Sequence, residues 1–387
     1  MTDTLATRLR AEADALDVPP APAAEIMASG RRLRRRRRAS VTAAVAALVL
    51  AGGASVVTLT GAHGPRSTFQ PVAPYGRLAP DDPVARVGDT LVLDHGRVQV
   101  TPEGHLRQLF YTSAGLLLRM SGTPGNEDDT GAPYRFVLVG RDGALDPLGL
   151  TLGDQEVATD VHQPYLAWSE VHAGTVEVVV HDLASDREVA RVTLPGQPVW
   201  SGEPTPDVSL DGDMVYVGTT PVGYAVDWRT GQVTPTSTIS AAAAEVHGGH
   251  VLDTAHHQVV DASTGRVLFS YGRGVVPSLS PDGRYLSYVP HAKQTGSVVV
   301  DLATGHRTHD PYLAETWTPD GHTVGTTQTM HGPFGQERTR TYVVWCDPAT
   351  GDCRRRELPL VARMAQQQGG STELEVGGGS WYGWQAP

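Results

Sequence analysis

Cysteine is almost absent from this chain: its 387 residues include only Cys346 and Cys353. Two thiols without companion ligands make a poor zinc site, and their spacing is not that of a redox Cys-x-x-Cys pair. No cysteine lies at or near the end of the apolar run at residues 39–59, which excludes a lipoprotein anchor. The sequence also has no G-x-S-x-G motif, which excludes the nucleophile elbow of a serine hydrolase.

Ionisable side chains are missing from residues 39–59. As a helix this stretch would span about 32 Å, close to the roughly 30 Å core of a bilayer. We therefore predict a transmembrane helix over residues 39–60. A cleaved secretory signal is the alternative, because small residues at 51–54 offer a cleavage site. Either interpretation puts the rest of the chain outside the cytoplasm.

A run of arginines immediately precedes the apolar segment and predicts its orientation. On the other side of the segment, residues 60–80 contain only two basic residues, Arg66 and Arg77. Because basic residues are retained in the cytoplasm, we predict that the N-terminus lies inside. The arginines that we assign to this topological role are Arg31, Arg32, Arg34, Arg35, Arg36, Arg37 and Arg38.

The charge differs sharply between the two sides of this segment. Residues 1–38 hold nine arginines and five acidic residues, a net charge of +4, so the remainder of this −11 chain carries −15. A body this acidic repels nucleic acid and anionic membrane surfaces. We therefore predict no nucleic-acid partner and a well-hydrated outer domain.

Self-similarity dominates residues 83–361. The strings "VDWRTGQV", "VDASTGRV", "VDLATGHR" and "CDPATGDC" begin at Val226, Val260, Val300 and Cys346, and a decayed copy, "HDLASDREV", begins at His181. Their aspartates recur at intervals of 45, 34, 40 and 46 residues. Periods near 40 with β character are typical of propeller blades.

Two turn motifs explain the repeat chemically. In Asp-x-x-Thr-Gly, the aspartate can bond the backbone two residues on and glycine accepts a positive φ, which favours a hairpin tip. Upstream, "SPDG", "TPDG", "SLDG" and "TPEG", the last at residues 101–104, suit type I turns. The blade-turn residues that we predict are Asp182, Asp227, Gly231, Asp261, Gly265, Asp282, Gly283, Asp301, Gly305, Asp320, Gly321, Asp347 and Gly351.

With these motifs the chain resembles the TolB-like and WD40-like β-propeller families, to which "SPDGRYLSYV" is similar. The resemblance implies an all-β propeller of four-stranded blades. The length of residues 83–361 favours seven blades, with six as the alternative. Residues 61–82 form a Pro/Gly linker, and residues 362–387 are either a Gly-rich tail or a strand that closes the ring.

The two cysteines occupy equivalent positions on either side of the last tip. Cys346 takes the place of Val226, Val260 and Val300 before the tip, and Cys353 takes that of Val233 and Val267 after it. If Asp347 faces Asp352, the sulfurs face each other across the hairpin. In an oxidising compartment, we predict a Cys346–Cys353 disulfide.

The cytoplasmic tail, residues 1–38, contains one amphipathic stretch. Leu5, Leu9 and Leu16 lie along one helical face, which predicts either a marginal helix or a partner-docking helix. Together with the arginine run, one span and an outer propeller, this organisation resembles membrane proteins associated with actinobacterial extracytoplasmic-function sigma factors. The resemblance implies a sigma factor as a partner of the tail.

We predict no enzymatic activity, no cofactor and no metal site. The histidine-rich stretch around His247, His250, His256 and His257 is interpreted as two strands around a turn. The expected function is the binding of a protein, peptide or glycan by the extracytoplasmic propeller, with signalling through the tail. The alternatives are an envelope scaffold with an inert tail and an extracytoplasmic enzyme with carboxylates or histidines clustered at the propeller mouth.

Overall fold

The short β-rich runs between the turn motifs form strands throughout the part of the chain that the structure describes. This computed structural model describes residues 83–87, 89–93, 98–122, 133–200, 205–239, 245–273, 275–290, 296–312, 314, 316–331, 338–359 and 374–376. The predicted tail, transmembrane helix and linker lie outside these ranges. Within them, no helix is long and apolar enough to cross a bilayer. The described residues belong to one unit, Pro71–Pro387.

Strands β1 to β14 occupy the first half of this unit. They are β1 (Ala85–Val87), β2 (Thr90–Leu93), β3 (Val98–Val100), β4 (His105–Thr112), β5 (Gly115–Ser121), β6 (Tyr134–Val139), β7 (Leu145–Leu152), β8 (Val157–Thr159), β9 (Tyr165–His172), β10 (Thr175–Asp182), β11 (Arg187–Thr193), β12 (Val208–Asp211), β13 (Met214–Val217) and β14 (Gly223–Asp227).

Strands β15 to β28 complete the fold. They are β15 (Gln232–Thr236), β16 (Glu245–His247), β17 (His250–Asp253), β18 (Gln258–Asp261), β19 (Val267–Ser270), β20 (Pro277–Leu279), β21 (Tyr285–Tyr288), β22 (Ser297–Asp301), β23 (Arg307–Asp310), β24 (Thr316–Trp317), β25 (Thr323–His331), β26 (Arg338–Cys346), β27 (Cys353–Glu357) and β28 (Leu374–Val376).

These strands form seven four-stranded antiparallel sheets, which are the blades of a propeller. Six blades are meanders of four consecutive strands, from β4–β7 (blade 2) to β24–β27 (blade 7). The first strands of neighbouring blades contact each other, as β8 and β12 do, and β12 and β16. The first strand of each meander is therefore the innermost, and the prediction of seven blades, rather than six, is confirmed.

Blade 1 is assembled from both ends of the described chain. Its order is β28-β1-β2-β3, and β28 pairs antiparallel with β1 through Ala85 with Val376 and Val87 with Leu374. Of the two alternatives for residues 362–387, the structure shows a ring-closing strand at 374–376. The glycine-rich end beyond it lies outside the described residues.

The connections divide between two faces of the propeller. Because the strands of a meander alternate in direction, the connections from first to second and from third to fourth strand share one end, which we call the turn face. The remaining connections share the opposite end, the loop face. The "TPEG" sequence differs from the other three turn motifs in its place in the fold: residues 101–104 join β3 of blade 1 to β4 of blade 2, across the loop face.

The core lies between facing sheets. Val176, Val178 and Val180 of β10 share one buried cluster with Val215 and Val217 of β13, so blades 3 and 4 pack face to face. In β10 these valines alternate with residues that are partly buried or lie on the opposite face of the sheet. This is expected because successive side chains of a strand point to opposite faces. Full burial of each such side chain contributes about 1.5 to 3 kcal/mol.

The pairing of β28 with β1 predicts that a short C-terminal deletion weakens the ring. Removing residues 374–387 leaves the inner edge of β1 without its antiparallel partner. We expect a loss of about 2 to 3 kcal/mol from the lost backbone hydrogen bonds, seen as a lower unfolding midpoint in urea. Deleting only residues 377–387 is the matched control. Equal midpoints for the two deletions would contradict this role of β28.

Candidate functional site

The Asp-x-x-Thr-Gly tips satisfy their own backbone donors. Asp227 Oδ1 accepts hydrogen bonds from Arg229 N and Thr230 N, each 3.0 Å long, and Gly231 N donates to Asp227 O at 2.8 Å. Gly231 has a φ of +74°, which glycine adopts at low steric cost. The same turn recurs at Asp261–Gly265, Asp301–Gly305 and Asp347–Gly351. In the decayed copy, Asp182 accepts from Ala184 N, and Asp186 takes a positive φ.

Several tips lie against the outer part of the preceding blade. Gly149 N in β7 donates to Asp186 Oδ2 of the next tip at 2.6 Å, and Thr238 Oγ1 donates to Ala262 O at 3.1 Å. A Cβ at Gly351 would lie 3.0 Å from Thr308 Cγ2 in β23. These tips therefore join blades, and their recurrence has a structural cause.

The Pro-Asp-Gly turns lie nearer the axis, between first and second strands. Asp282 Oδ1 accepts from Ser280 Oγ at 2.6 Å, and Gly283 N donates to Ser280 O at 2.8 Å. In blade 7, Thr318 Oγ1 bonds Asp320, and Gly321 N donates to Thr318 O at 3.0 Å.

Inner turns of adjacent blades are bonded to each other on the turn face. Asp160 Oδ2 accepts from Gly212 N at 2.8 Å, and the carboxylate of Asp211 accepts from Gly248 N at 3.1 Å and Gly249 N at 2.7 Å. Blades 5 and 6 are closer still, because a Cβ at Gly283 would lie 2.1 Å from a backbone oxygen, that of His247. Around blades 3 to 6 the turn face is thus a ring of touching backbone turns.

Beside this ring, the inner strand β16 carries a glutamate and a histidine on the same side. Glu245 and His247 alternate with Val246, which is fully buried in the sheet packing. Their side chains are 16% and 14% exposed, and His247 Nε2 lies 3.7 Å from Glu245 Oε1, beyond hydrogen-bond distance. Leu279 N of the next inner strand, β20, donates to Glu245 Oε1 at 2.9 Å.

Burial shifts both of these groups toward their neutral forms. It raises the pKa of Glu245 to about 7, against the opposing hydrogen bond from Leu279 N. It lowers the pKa of His247 to about 4, where the charges of Asp160 and Asp282 oppose the shift and that of His162 reinforces it. Near neutral pH, His247 is an uncharged hydrogen-bonding ring and Glu245 can both release and accept a proton.

The four histidines of the sequence motif do not converge. His250 Nδ1 lies 2.7 Å from Gly283 O, and His256 Nδ1 lies 2.8 Å from Asp253 Oδ2. His257 packs on Tyr271 with a 5.9 Å ring separation, whereas His247 lies beside Glu245 on β16. These roles fit strand and turn histidines, with His247 as the exception.

Two other groups bring three potential metal ligands together among the described residues. Glu170, His172 and Glu177 form one of them, but Arg191 Nη1 already lies 2.7 Å from Glu170 and 3.0 Å from Glu177. Hydrogen bonds from Arg191, Trp168 and His172 outweigh burial and lower the pKa of Glu170 to about 2. This cluster is an ion-pair network with its own cation.

The second group consists of Asp310 and the two cysteine sulfurs. The predicted disulfide is confirmed: Cys346 pairs with Cys353 across the β26–β27 hairpin, with their Cα atoms 4.0 Å apart. Val226 pairs with Val233 and Val260 with Val267 in the same way, so the cysteines replace a cross-strand valine pair. Sulfurs bonded to each other are not available as thiolate ligands.

The loop face differs from the turn face in the length of its connections. The longest connections of the propeller, 122–133, 194–207 and 358–373, all start and end there. Two strongly exposed apolar side chains also belong to loop-face connections, Val199 at 61% and Val276 at 49% exposure. The acidic sequence "GNEDDTG" at residues 125–131 lies outside the described residues, as do Leu5, Leu9, Leu16 and Arg31 to Arg38.

Comparison with known proteins gives similarity at the level of overall structure only. No family model matches the chain, and no curated protein matches it. TolB from Acinetobacter baumannii is 12% identical with a TM-score of 0.38, covering 72% of this chain and 63% of TolB. The periplasmic gluconolactonase of Pseudomonas aeruginosa is 14% identical with a TM-score of 0.40, covering 76% of this chain and 99% of that one.

An oligogalacturonate lyase in complex with manganese is also similar, at 15% identity and a TM-score of 0.40, covering 70% of this chain and 84% of the lyase. Identities and TM-scores this low carry no argument about function. The fold assignment therefore rests on the strands and sheets themselves.

Glu245 predicts a pH-dependent stability. Its pKa rises from 4.5 in the unfolded chain to about 7 in the fold, so its contribution is fully present below pH 4.5 and is lost as pH rises through 7. The loss amounts to about 3 kcal/mol. We expect Glu245→Gln, which cannot ionise, to be more stable than wild type by about this amount near pH 8 and by much less near pH 5.

Urea unfolding of both proteins at the two pH values measures this difference. Glu103→Gln is the control, because Glu103 is exposed in the connection from blade 1 to blade 2. A stability difference between Glu245→Gln and wild type that is the same at both pH values would contradict the assignment.

Proposed function

We propose that this chain is a single-pass membrane protein whose extracytoplasmic propeller binds a protein, peptide or glycan on its loop face. The tail, residues 1–38, would then lie in the cytoplasm and dock a sigma factor through Leu5, Leu9 and Leu16. The proposal has three parts, which are compartment, binding face and signalling.

The compartment is supported by the disulfide and the charge distribution. Cys346 and Cys353 are the only cysteines and are bonded to each other, which is typical of oxidising compartments. The apolar residues 39–59 follow seven arginines, which favours retention of the N-terminus inside.

The asymmetry of the two faces is the observation that carries the binding proposal. On the turn face, the carboxylates of the tips and inner turns accept hydrogen bonds from backbone N–H groups of their own or the next blade. The loop face has the longest connections and the exposed side chains of Val199 and Val276. Loops held on a rigid scaffold are where binding residues concentrate, so we assign the ligand to the loop face.

An extracytoplasmic enzyme is a second candidate, and one specific observation favours it. Glu245 has a pKa near 7 beside the neutral ring of His247, a combination that suits proton transfer. We rank binding first because Glu245 Oε1 is already fixed by Leu279 N and no third titratable ligand atom clusters with the pair among the described residues. A scaffold without signalling is the remaining alternative for the tail.

The binding face can be tested with two valines of equal exposure. Val276 lies in the loop-face connection after β19, whereas Val267 begins β19 beside a turn-face tip, and both are 49% exposed. We expect Val276→Glu to reduce partner recovery about tenfold or more, since a charge buried in an interface costs over 1.4 kcal/mol. Val267→Glu should recover the partner like wild type.

The measurement is in-cell crosslinking followed by affinity purification and mass spectrometry of wild type, both valine variants and a chain lacking residues 1–30. Envelope partners should be kept by the truncated chain, whereas a sigma factor should be lost from it. Loss with Val267→Glu and retention with Val276→Glu would contradict the loop-face assignment. Recovery of the same partners with and without residues 1–30 would leave a scaffold and contradict signalling.

A further inference from the structure

A buried carboxyl group lies against one sulfur of the disulfide. Asp310, the last residue of β23 in blade 6, is 4% exposed, and its Oδ1 lies 3.4 Å from Cys346 Sγ in blade 7. Thr323 Oγ1 donates to Asp310 Oδ2 at 2.7 Å, and Tyr312 N donates to Oδ1 at 2.9 Å. The carboxyl group is thus held in place by both blades and directed at the sulfur.

The two sulfurs have different surroundings. Cys346 is 2% exposed and in contact with Asp310, whereas Cys353 is only half-buried, on the outermost strand β27. A nucleophile from solvent can therefore reach Cys353, and the sulfur that leaves is that of Cys346. Thiol–disulfide exchange proceeds by such an attack and is faster when the leaving thiolate is stabilised.

The environment of Asp310 favours its protonated form more than water does. Burial raises its pKa, against opposing hydrogen bonds from Thr323 and Tyr312 N and the charge of His309 on the same strand. The partners that face it from blade 7, Thr323 and Cys346, carry no charge. Elsewhere in blade 7, His322 in the connection from β24 to β25 interacts with the charges of Asp320, Asp347 and Arg354.

We propose that the Cys346–Cys353 disulfide is a thiol-exchange site for an extracytoplasmic dithiol, with Asp310 as the proton donor to the Cys346 sulfur. The thiolate of the dithiol attacks Cys353 Sγ, the S–S bond breaks, and the electron pair leaves with Cys346 Sγ, which takes the proton of Asp310. The second thiol of the reductant then attacks the mixed disulfide, its proton passes to the departing Cys353 sulfur, and Asp310 regains a proton from solvent. The dithiol is oxidised to a disulfide, and the protein disulfide is reduced to two thiols.

A purely structural role for Asp310 is the alternative, since its bond to Thr323 joins blades 6 and 7. That role predicts an effect of substitution on stability but no effect on the pH profile of reduction. The pH profile therefore distinguishes the two roles, whereas the site of attack tests the order in which the two sulfurs react.

The first test uses the purified full-length wild-type chain and a monothiol, glutathione, which stops at the mixed disulfide. After the free thiol is blocked with N-ethylmaleimide, peptide mass spectrometry locates both adducts. We expect glutathione on Cys353 and maleimide on Cys346, with at least a tenfold preference. Equal distribution, or glutathione on Cys346, would overturn the proposal, and no substitution that risks misfolding is involved.

The second test follows reduction by dithiothreitol from acidic conditions, below the ordinary pKa of an aspartate, up to about pH 8, with rates divided by the thiolate fraction of the reductant. In wild type this corrected rate should fall as Asp310 loses its proton. Asp310→Asn should be about tenfold slower at the low end and show no such fall, because an amide cannot transfer a proton. Thr323→Val, which removes the bond to Oδ2 but keeps the carboxyl group, should retain the fall. Matching profiles for wild type and Asp310→Asn would overturn the role of Asp310.

Discussion

The contact between neighbouring inner turns is the constraint on which the rest of this propeller depends. Seven sheets can surround one axis only if each inner strand approaches two others, and on the turn face the approach between blades 5 and 6 is at backbone distance. A side chain at Gly248 would lie 2.0 Å from Asp282 O, so glycine is required there. The carboxylates of Asp160 and Asp211 satisfy the N–H groups that this crowding removes from solvent. Closure of the ring by β28 completes the same arrangement at blade 1.

In the proposed function, this constraint also separates the two faces. Where the inner turns touch, the carboxylates of Asp160 and Asp211 hold backbone N–H groups. Glu245 and His247 stand beside the crowded ring, where burial makes their charged forms costly and no cation compensates Glu245 among the groups that shift its pKa. The loop face has the longest connections of the propeller, and such connections can vary in length without disturbing the blades. The difference between the two faces therefore follows from the direction of the strands.

Much of this fold could be predicted from the sequence because its signals are local. A tip such as Asp227–Gly231 is built from five consecutive residues, so its hydrogen bonding can be predicted from the sequence. The disulfide was predictable for the same reason, because Cys346 and Cys353 replace the valine pair of other blades. The position of residues 101–104 in the fold could not be predicted from their motif, because a Pro-x-Gly turn can join two blades as well as two strands of one blade. Neither the closing role of 374–376 nor the seven-blade count was fixed by local signals alone.

Most of the candidate site could not be predicted from the sequence, because the site is built from contacts between blades. The hydrogen bond of Glu245 comes from Leu279, a residue of the next inner strand, and the contact of Asp310 with Cys346 spans two blades. In the sequence, Glu245 and His247 lie on either side of Val246, which indicates a strand with one polar side but not that this side is buried against the next inner strand. Asp310 carries no signal at all, since its neighbours in sequence do not include either sulfur.

The most direct test of this account uses the only lysine in the sequence, Lys293, which lies between β21 and β22 in the chain. Intact cells are treated with a membrane-impermeant amine-reactive reagent, and Lys293→Arg provides the control for labelling at the N-terminal amine. The account predicts that Lys293 is labelled in intact cells, whereas the N-terminal amine is labelled only after lysis. Labelling of Lys293 only after lysis would place the propeller in the cytoplasm and contradict the extracytoplasmic binding function.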